Sequence, residues 1–554
     1  MGMKRRDFLG LALGSALSTV DFLKYFRAHG VPGTKKELGV MEAAAATAAA
    51  PHYLIYWFCE GGWDGYSMFN PLDTSNDGTR VIPAGTLRPN PSWSAQTYRP
   101  RGWGTAPQNQ PRIQGNISYG YLAQQGLPLF NDLSVVSSHQ GSVFHSGSRW
   151  EYHYGKYGGD VPLSAVRQPD ERTVMQAFCE AYGQSYLLPH VSWHRWLADG
   201  ELSLSNFPEG TGYYEKLGPA WANTVYGLTP EGMRQRLTAI QALSSSLRGA
   251  RVRAFVDNLH QSFIKDKNSE SVKAFASAVA IYKSQVGGAP GLAPSNMFNN
   301  STLLSDFKVS AQDLQTTSVV IDGNPARSKE SPSANVQAMM TYELMTKGLS
   351  CGFFIESRDI RGFDSHRGRS SVFSNQGQTD QAYAINGSLW SPLNVLVSKL
   401  KNAVHPVTGQ SYFNHTTIVL CSEMGRMVGA DAASILASTA SDSDKYAQIM
   451  DQDVCQHWYV SSCAFLGGNI KGNTQFGRVG TATMTYIPMM PDGTLDPAFN
   501  PVTGVLIPGR TASPSSFVSD AGHVYATALY AAGLNPTGRG RNVRPPMKFL
   551  TKSG

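Results

Sequence analysis

Tyr53-Leu54-Ile55-Tyr56-Trp57-Phe58-Cys59 is an unbroken apolar run that stops at Gly61-Gly62. A strand with one wet face alternates polar and apolar residues. A continuous apolar run bounded by glycine predicts instead a strand buried on both faces, the habit of a parallel sheet. Comparable runs recur at 133–137, 351–355, 416–421 and 463–466. Between them lie helical patterns at 336–347 and 382–402, the second carrying Leu389, Leu393, Val395, Leu396 and Leu400 on an apolar stripe. Strands alternating with helices predict an α/β fold: an open, mostly parallel sheet, formed by these five runs and flanked by helices.

Working outward, residues 60–130 read as long loops rich in Pro, Gly, Asn and Gln, and 229–284 as a helical insertion opened by Thr229-Pro230-Glu231-Gly232. Gly and Pro punctuate 287–294 and 485–516, and a last helix is expected at 521–532. No internal repeat stands out. The expected organisation is one α/β hydrolase-like domain over 51–554 with the insertion at about 229–284.

Residues 1–50 read as a separate segment. Lys4-Arg5-Arg6-Asp7-Phe8-Leu9 sets two arginines before a short apolar stretch, which is the layout of a twin-arginine signal, and an alanine-rich run at 43–50 precedes Pro51. The stretch is shorter than the ~20 residues a bilayer span needs. The expected course is recognition by the twin-arginine export machinery, cleavage near Pro51, and a periplasmic or secreted mature protein with no stable membrane span. The chain carries a net charge of +7, of which residues beyond 50 keep +4, too little for a nucleic-acid footprint. Six cysteines in 554 residues are no disulfide framework. Cys59, Cys351 and Cys421 lie in or beside apolar runs, where buried thiols are expected, and Cys455 and Cys463 are close enough in sequence to pair.

In parallel α/β sheets ligands bind beyond the carboxyl ends of the strands, so polar residues just after an apolar run are the ones to examine. These are few and acidic. Glu60-Gly61-Gly62-Trp63-Asp64-Gly65 follows the first run, Gly362-Phe363-Asp364-Ser365-His366 lies beyond 351–355, Ser422-Glu423-Met424-Gly425-Arg426 follows 416–421, and Asp453-Val454-Cys455-Gln456-His457-Trp458 precedes Cys463. Carboxylates and imidazoles brought from separate strand ends are what a divalent ion needs. Asp364 and His366, two apart, would share one side of an extended chain. Each element also has a plainer reading: a tight turn at Gly61-Gly62, Asp364 as a helix cap, Glu423 with Arg426 as an ion pair, Asp453 and His457 as a solvated helix pair. The stretch 137–149 offers several hydroxyls, and the neighbouring His139, His145, His153 and Arg149 either bind an anion or cap and line an ordinary loop.

The order of these motifs, with Leu466-Gly467-Gly468-Asn469-Ile470-Lys471-Gly472 and Phe517-Val518-Ser519-Asp520-Ala521-Gly522-His523 after them, resembles the exported bacterial family called domain of unknown function 1501. That family is grouped with the alkaline phosphatase and sulfatase superfamily. The resemblance runs from about Tyr53 to Leu534, with long gaps at 70–130 and 180–330. It implies an alkaline-phosphatase-like sheet and a divalent metal centre of Zn, Ca, Mg or Mn. Carried over by position, the metal ligands are Asp64, Asp364, His366, Glu423 and His457. Two departures stand out: Met424 and Gln456 occupy positions where the superfamily commonly has ligands, although Asp453 lies one turn before His457. The superfamily's nucleophile follows the second strand, which makes Ser146, beside His145, the catalytic candidate. No Cys-x-Pro-x-Arg sequence of the kind sulfatases use is present.

The expected function is therefore an exported, metal-dependent hydrolase of phosphate, sulfate or related anionic esters. The alternative is a non-catalytic periplasmic or surface binding protein that kept the fold and lost the chemistry. A third reading is carbohydrate binding by aromatic loops near Trp93, Trp103, Trp150, Trp193 and Trp196.

Overall fold

The computed structural model describes residues 51–63, 65–70, 80–82, 96–98, 112–141, 151–155, 173–183, 186, 188–193, 224–226, 229–245, 297–315, 332–357, 385–428, 439, 455–480, 485–539 and 544–553. Its centre is an eight-stranded sheet. In chain order the strands are β1 (Tyr53–Cys59), β2 (Ser134–Gln140), β3 (His190–Ser192), β4 (Thr224–Tyr226), β5 (Gly352–Ser357), β6 (Thr416–Ser422), β7 (Val460–Gly467) and β8 (Thr474–Phe476). They lie side by side as β8-β2-β7-β6-β1-β5-β3-β4.

The opening heptapeptide is the middle of this sheet. β1 pairs in parallel with β6 on one side and β5 on the other, and all seven of its residues are buried, which accounts for a run without a charged residue. β3 and β4 continue the parallel half beyond β5. The 463–466 run departs from expectation. It belongs to β7, which is antiparallel to both β6 and β2 and makes the sheet mixed, though mostly parallel. A fully buried strand is apolar whichever way it runs, so its composition carries no direction. β3, β4 and β8, at three residues each, had no apolar run long enough to announce them.

Four helices matter for the site: α1 (Val174–Tyr182), α2 (Ala334–Thr346), α3 (Ser391–Asn402) and α4 (Ala521–Ala531). Thr173, Ser333 and Asp520 start α1, α2 and α4 by accepting a hydrogen bond from a first-turn N–H. On one face of the sheet the place of a β-carbon on Gly352 is met by Met175 and Cys179 of α1, and α1 packs on α4. On the other face Trp57 Nε1 donates to Ser357 Oγ, which donates to the Ser388 carbonyl in the turn leading into α3, and α3 packs on α2. β5 outruns the short β3, and the amide of Gln337 replaces the missing neighbour: it accepts from Glu356 N–H at 2.9 Å and donates to Glu356 C=O at 2.8 Å. A strand end left bare in the core would strand two backbone groups.

Within 60–130, read as loop, the described residues include two small antiparallel pairs, Arg80–Ile82 with Gln96–Tyr98 and Arg112–Gln114 with Ile117–Tyr119, and a 3-10 helix at Tyr121–Leu129. The helical insertion begins as expected with Pro230–Ser245; the rest of it lies outside the described residues. So does the signal segment 1–50. Among the described residues no helix is long and apolar enough to cross a membrane.

Candidate functional site at the carboxyl edge of the sheet

Cys59 stands in register with Ser422 of β6 and Ser357 of β5, so three parallel strands end at one level. The backbone then ties the segments beyond them together. Glu60 N–H donates to Ser357 C=O at 3.1 Å, and Glu423 N–H to Cys59 C=O at 3.4 Å. Gly61 and Gly62 both adopt positive φ, 103° and 84°, a double turn closed to residues with a β-carbon. It delivers Trp63, whose N–H donates to Ser422 Oγ at 2.9 Å, while that hydroxyl donates to Cys59 C=O at 3.1 Å.

Trp63 then bridges to Gly425, Gly425 pairs with Trp458, and Arg426 pairs with His457 in a two-stranded ribbon of Gly425–Val428 with Cys455–Trp458. The 455–458 segment, for which a solvated helix pair of Asp453 and His457 was the plainer reading, is a strand, and Asp453 lies outside the described residues. Gly65 packs on the backbone of Val460 and Ser461, and Gly141, just beyond β2, packs on Glu423 and Met424. A β-carbon at Gly141 would fall 2.9 Å from Met424 Cα.

Of the sequence candidates, Glu423 is placed here and is fully buried. The backbone of His457 lies one residue from the Gly425–Trp458 pair; its side chain lies outside the described residues. Asp64, Asp364, His366, Ser146 and His145 also lie outside them, though both chain neighbours of Asp64 belong to this edge. Among the described residues no group of three or more His, Cys, Asp or Glu side chains is placed to hold a metal ion. Glu60 and Glu356, neither of them among the expected metal ligands, are buried at the same edge. Burial of carboxyl groups in this number demands compensating hydrogen bonds. Met424, beside Glu423, is fully buried. Trp193, one of the tryptophans offered for carbohydrate, is likewise core.

Beside this edge lies a buried relay that sequence reasoning missed. β2 runs on through Gln140, which puts His139 in the core and not in a loop. Ser519 Oγ donates to Ser138 C=O at 3.0 Å, so it must accept from His139 Nδ1 at 2.9 Å. Burial, only partly opposed by Asp520, holds His139 near a pKa of about 3 and hence neutral. Its Nε2 is therefore the acceptor, and Tyr152 Oη donates to it at 2.5 Å. Asp520 caps α4, bonds His523 Nδ1 at 2.8 Å and accepts from Arg544 Nε at 3.1 Å. With no solvent to replace the lost phenol, Tyr152→Phe is expected to destabilise the protein by about 1–3 kcal/mol. Urea unfolding measures this; a variant as stable as the parent would contradict a buried hydrogen bond between Tyr152 and His139.

A cleft lined by Asp132, Lys401, Phe413 and Lys552 opens at the opposite, amino edge of the sheet. It is remote from the strand ends where parallel sheets bind ligands.

No family model matches the chain, and no curated protein matches it. Among solved structures, Ps i-CgsB in complex with k-i-k-neocarrahexaose is similar at 9% identity and a TM-score of 0.34, covering 90% of this chain and 76% of that one. A likeness at that level carries no conclusion about chemistry.

Proposed function

We propose that this chain is an exported hydrolase of phosphate, sulfate or related anionic esters that works with a divalent ion at the carboxyl edge of β5, β1 and β6. One observation supports it above others: the neighbours of Asp64, the buried Glu423 and the strand containing His457 are joined by consecutive backbone contacts at one sheet edge. The donor set of Asp64, Asp364, His366, Glu423 and His457, oxygen with imidazole nitrogen, suits such an ion. When bound, the ion would polarise the ester oxygen and offset charge gathering in the transition state. Ser146 would serve as nucleophile with His145 beside it, on the segment that leaves β2 after Gly141. Gly61, Gly62, Gly65 and Gly141 let these segments approach each other, and Met424 and Trp63 exclude water from the floor. Export through the twin-arginine machinery to the periplasm or medium belongs to the same proposal.

The test is turnover of an aryl phosphate and an aryl sulfate by mature protein from the exported fraction, with and without chelator. Hydrolysis that chelator abolishes, that added metal restores, and that the Asp364→Asn, His366→Ala double variant lacks, with the fold retained, is the expected result. A bound ion without turnover selects the binding-protein alternative, which the buried Met424 favours. Turnover indifferent to chelator and to the double variant contradicts the proposal.

A further inference from the structure

Two sulfurs meet where α1 packs on the start of β5. Cys179 on α1 donates its thiol to the Pro189 carbonyl at 3.3 Å, and Cys351, the residue before β5, donates to the same oxygen at 3.5 Å. Two thiols directed at one carbonyl oxygen are neighbours. Gly352 leaves the space the sulfur uses: a β-carbon there would lie 2.6 Å from Cys179 Sγ and 3.1 Å from Met175 Cε. Cys351 is buried and Cys179 only partly so, which makes Cys179 the thiol that a reagent reaches first and Cys351 the one beneath it.

We propose that Cys179 and Cys351 are joined as a disulfide once the folded chain meets an oxidising compartment, tying α1 to β5. The Cys179 thiolate attacks a disulfide of the glutathione or thiol–disulfide oxidoreductase class, and one thiolate of that oxidant leaves. The Cys351 thiolate then attacks Cys179 Sγ and expels the second. Two protein thiols lose two electrons and two protons, and the oxidant disulfide becomes two thiols. Burial pushes the Cys179 thiol up, so little thiolate is present at neutral pH and the bond forms slowly, which suits a structural link made once and not a fast switch. The bond would close a chain segment long enough for a large restriction of the unfolded state. It sits at the amino edge of β5, away from the candidate site.

Cys421 and Cys463 provide an internal contrast. They face each other across the β6–β7 ladder, but both are fully buried in the core, so no reagent reaches them and they remain thiols.

The experiment equilibrates the mature protein with oxidised glutathione at pH 8, alkylates it after denaturation, and maps its peptides without reduction. Expected are a cross-linked pair holding Cys179 and Cys351, two fewer alkylated cysteines, and a melting temperature raised on the order of 5 °C and returned by dithiothreitol. Cys351→Ser should instead keep glutathione on Cys179 and show no rise. Recovery of both cysteines as alkylated thiols, or stable glutathione on Cys179 in the wild type, would overturn the proposal.

Discussion

Gly467→Ala is expected to destabilise the protein by several kcal/mol, on the order of 4 or more, enough to leave much of it unfolded at 37 °C. A β-carbon at Gly467 would fall 1.9 Å from the Thr416 carbonyl oxygen, and the residue's φ of +136° is one that side chains rarely adopt. Its neighbours are placed no more freely, since a β-carbon at Gly468 would lie 2.1 Å from Asn414 O and one at Gly472 1.9 Å from Asn131 O. The obstacles are backbone atoms at the head of β6 and just before β2, so none can swing aside as a side chain would. Gly409 is the control. Its φ is +69°, but nothing lies within 4 Å of the β-carbon position, so Gly409→Ala should cost only about 1 kcal/mol. Chemical denaturation of the two variants compares them directly; equal losses would show that the close approach at Gly467 is relieved at little cost.

Acid is expected to unfold the protein well above the carboxylate range. His139, His153 and His190 are buried, and burial lowers each to a pKa of about 3. In the unfolded chain they titrate near ~6.5. Between those values the unfolded state binds more protons than the folded one, so stability falls as pH drops below ~6.5 and is level above it. Each histidine contributes up to ~1.4 kcal/mol per pH unit, and the three together cost roughly 6 kcal/mol at pH 5 relative to neutral pH. Asp520, whose pKa is lowered because its bonds to His523 and Arg544 outweigh burial, adds a loss only at lower pH, as that carboxylate is protonated. The melting temperature should therefore fall steeply from pH 7 to pH 5. His153, stacked on Phe354 at 4.5 Å, offers the check: His153→Gln should flatten the slope by about a third. A melting temperature constant over that range would contradict the neutral histidines.

How much of this could be read in advance depended on what burial does to composition. β1 and β6 were legible to within a residue because each has an unbroken apolar stretch and no charged residue. β2 was cut short at 137, since Ser137, Ser138 and His139 look like loop, yet each hydroxyl finds a carbonyl and the imidazole finds Ser519 and Tyr152. Such satisfaction depends on residues between 13 and 380 positions away, and no local pattern contains it. The Leu466–Gly472 motif was visible as a resemblance, while its cause, backbone approach at three glycines, is purely three-dimensional.

One repetition was legible but too short to register. Pro-Val-Thr-Gly occurs at 406–409 and 501–504, and both copies fold into the same turn. In each the glycine N–H donates to the residue before the proline, at 2.9 Å, and the valine sits exposed at the tip. At the carboxyl edge the sequence showed where β1 and β6 end. It could not supply Glu60 and Glu356 as buried neighbours, or the ribbon that sets His457 opposite Arg426, because both arise from which strands lie side by side.

The central claim is that this carboxyl edge holds a divalent ion. Elemental analysis of mature protein purified from the exported fraction without chelator, alongside Asp64→Asn and Glu423→Gln, tests it most directly. A divalent metal near one equivalent or more per chain in the wild type, largely lost in both variants while each still melts cooperatively, is the predicted result. A wild type that neither carries nor takes up Zn, Ca, Mg or Mn, or variants that keep the full complement, would contradict it.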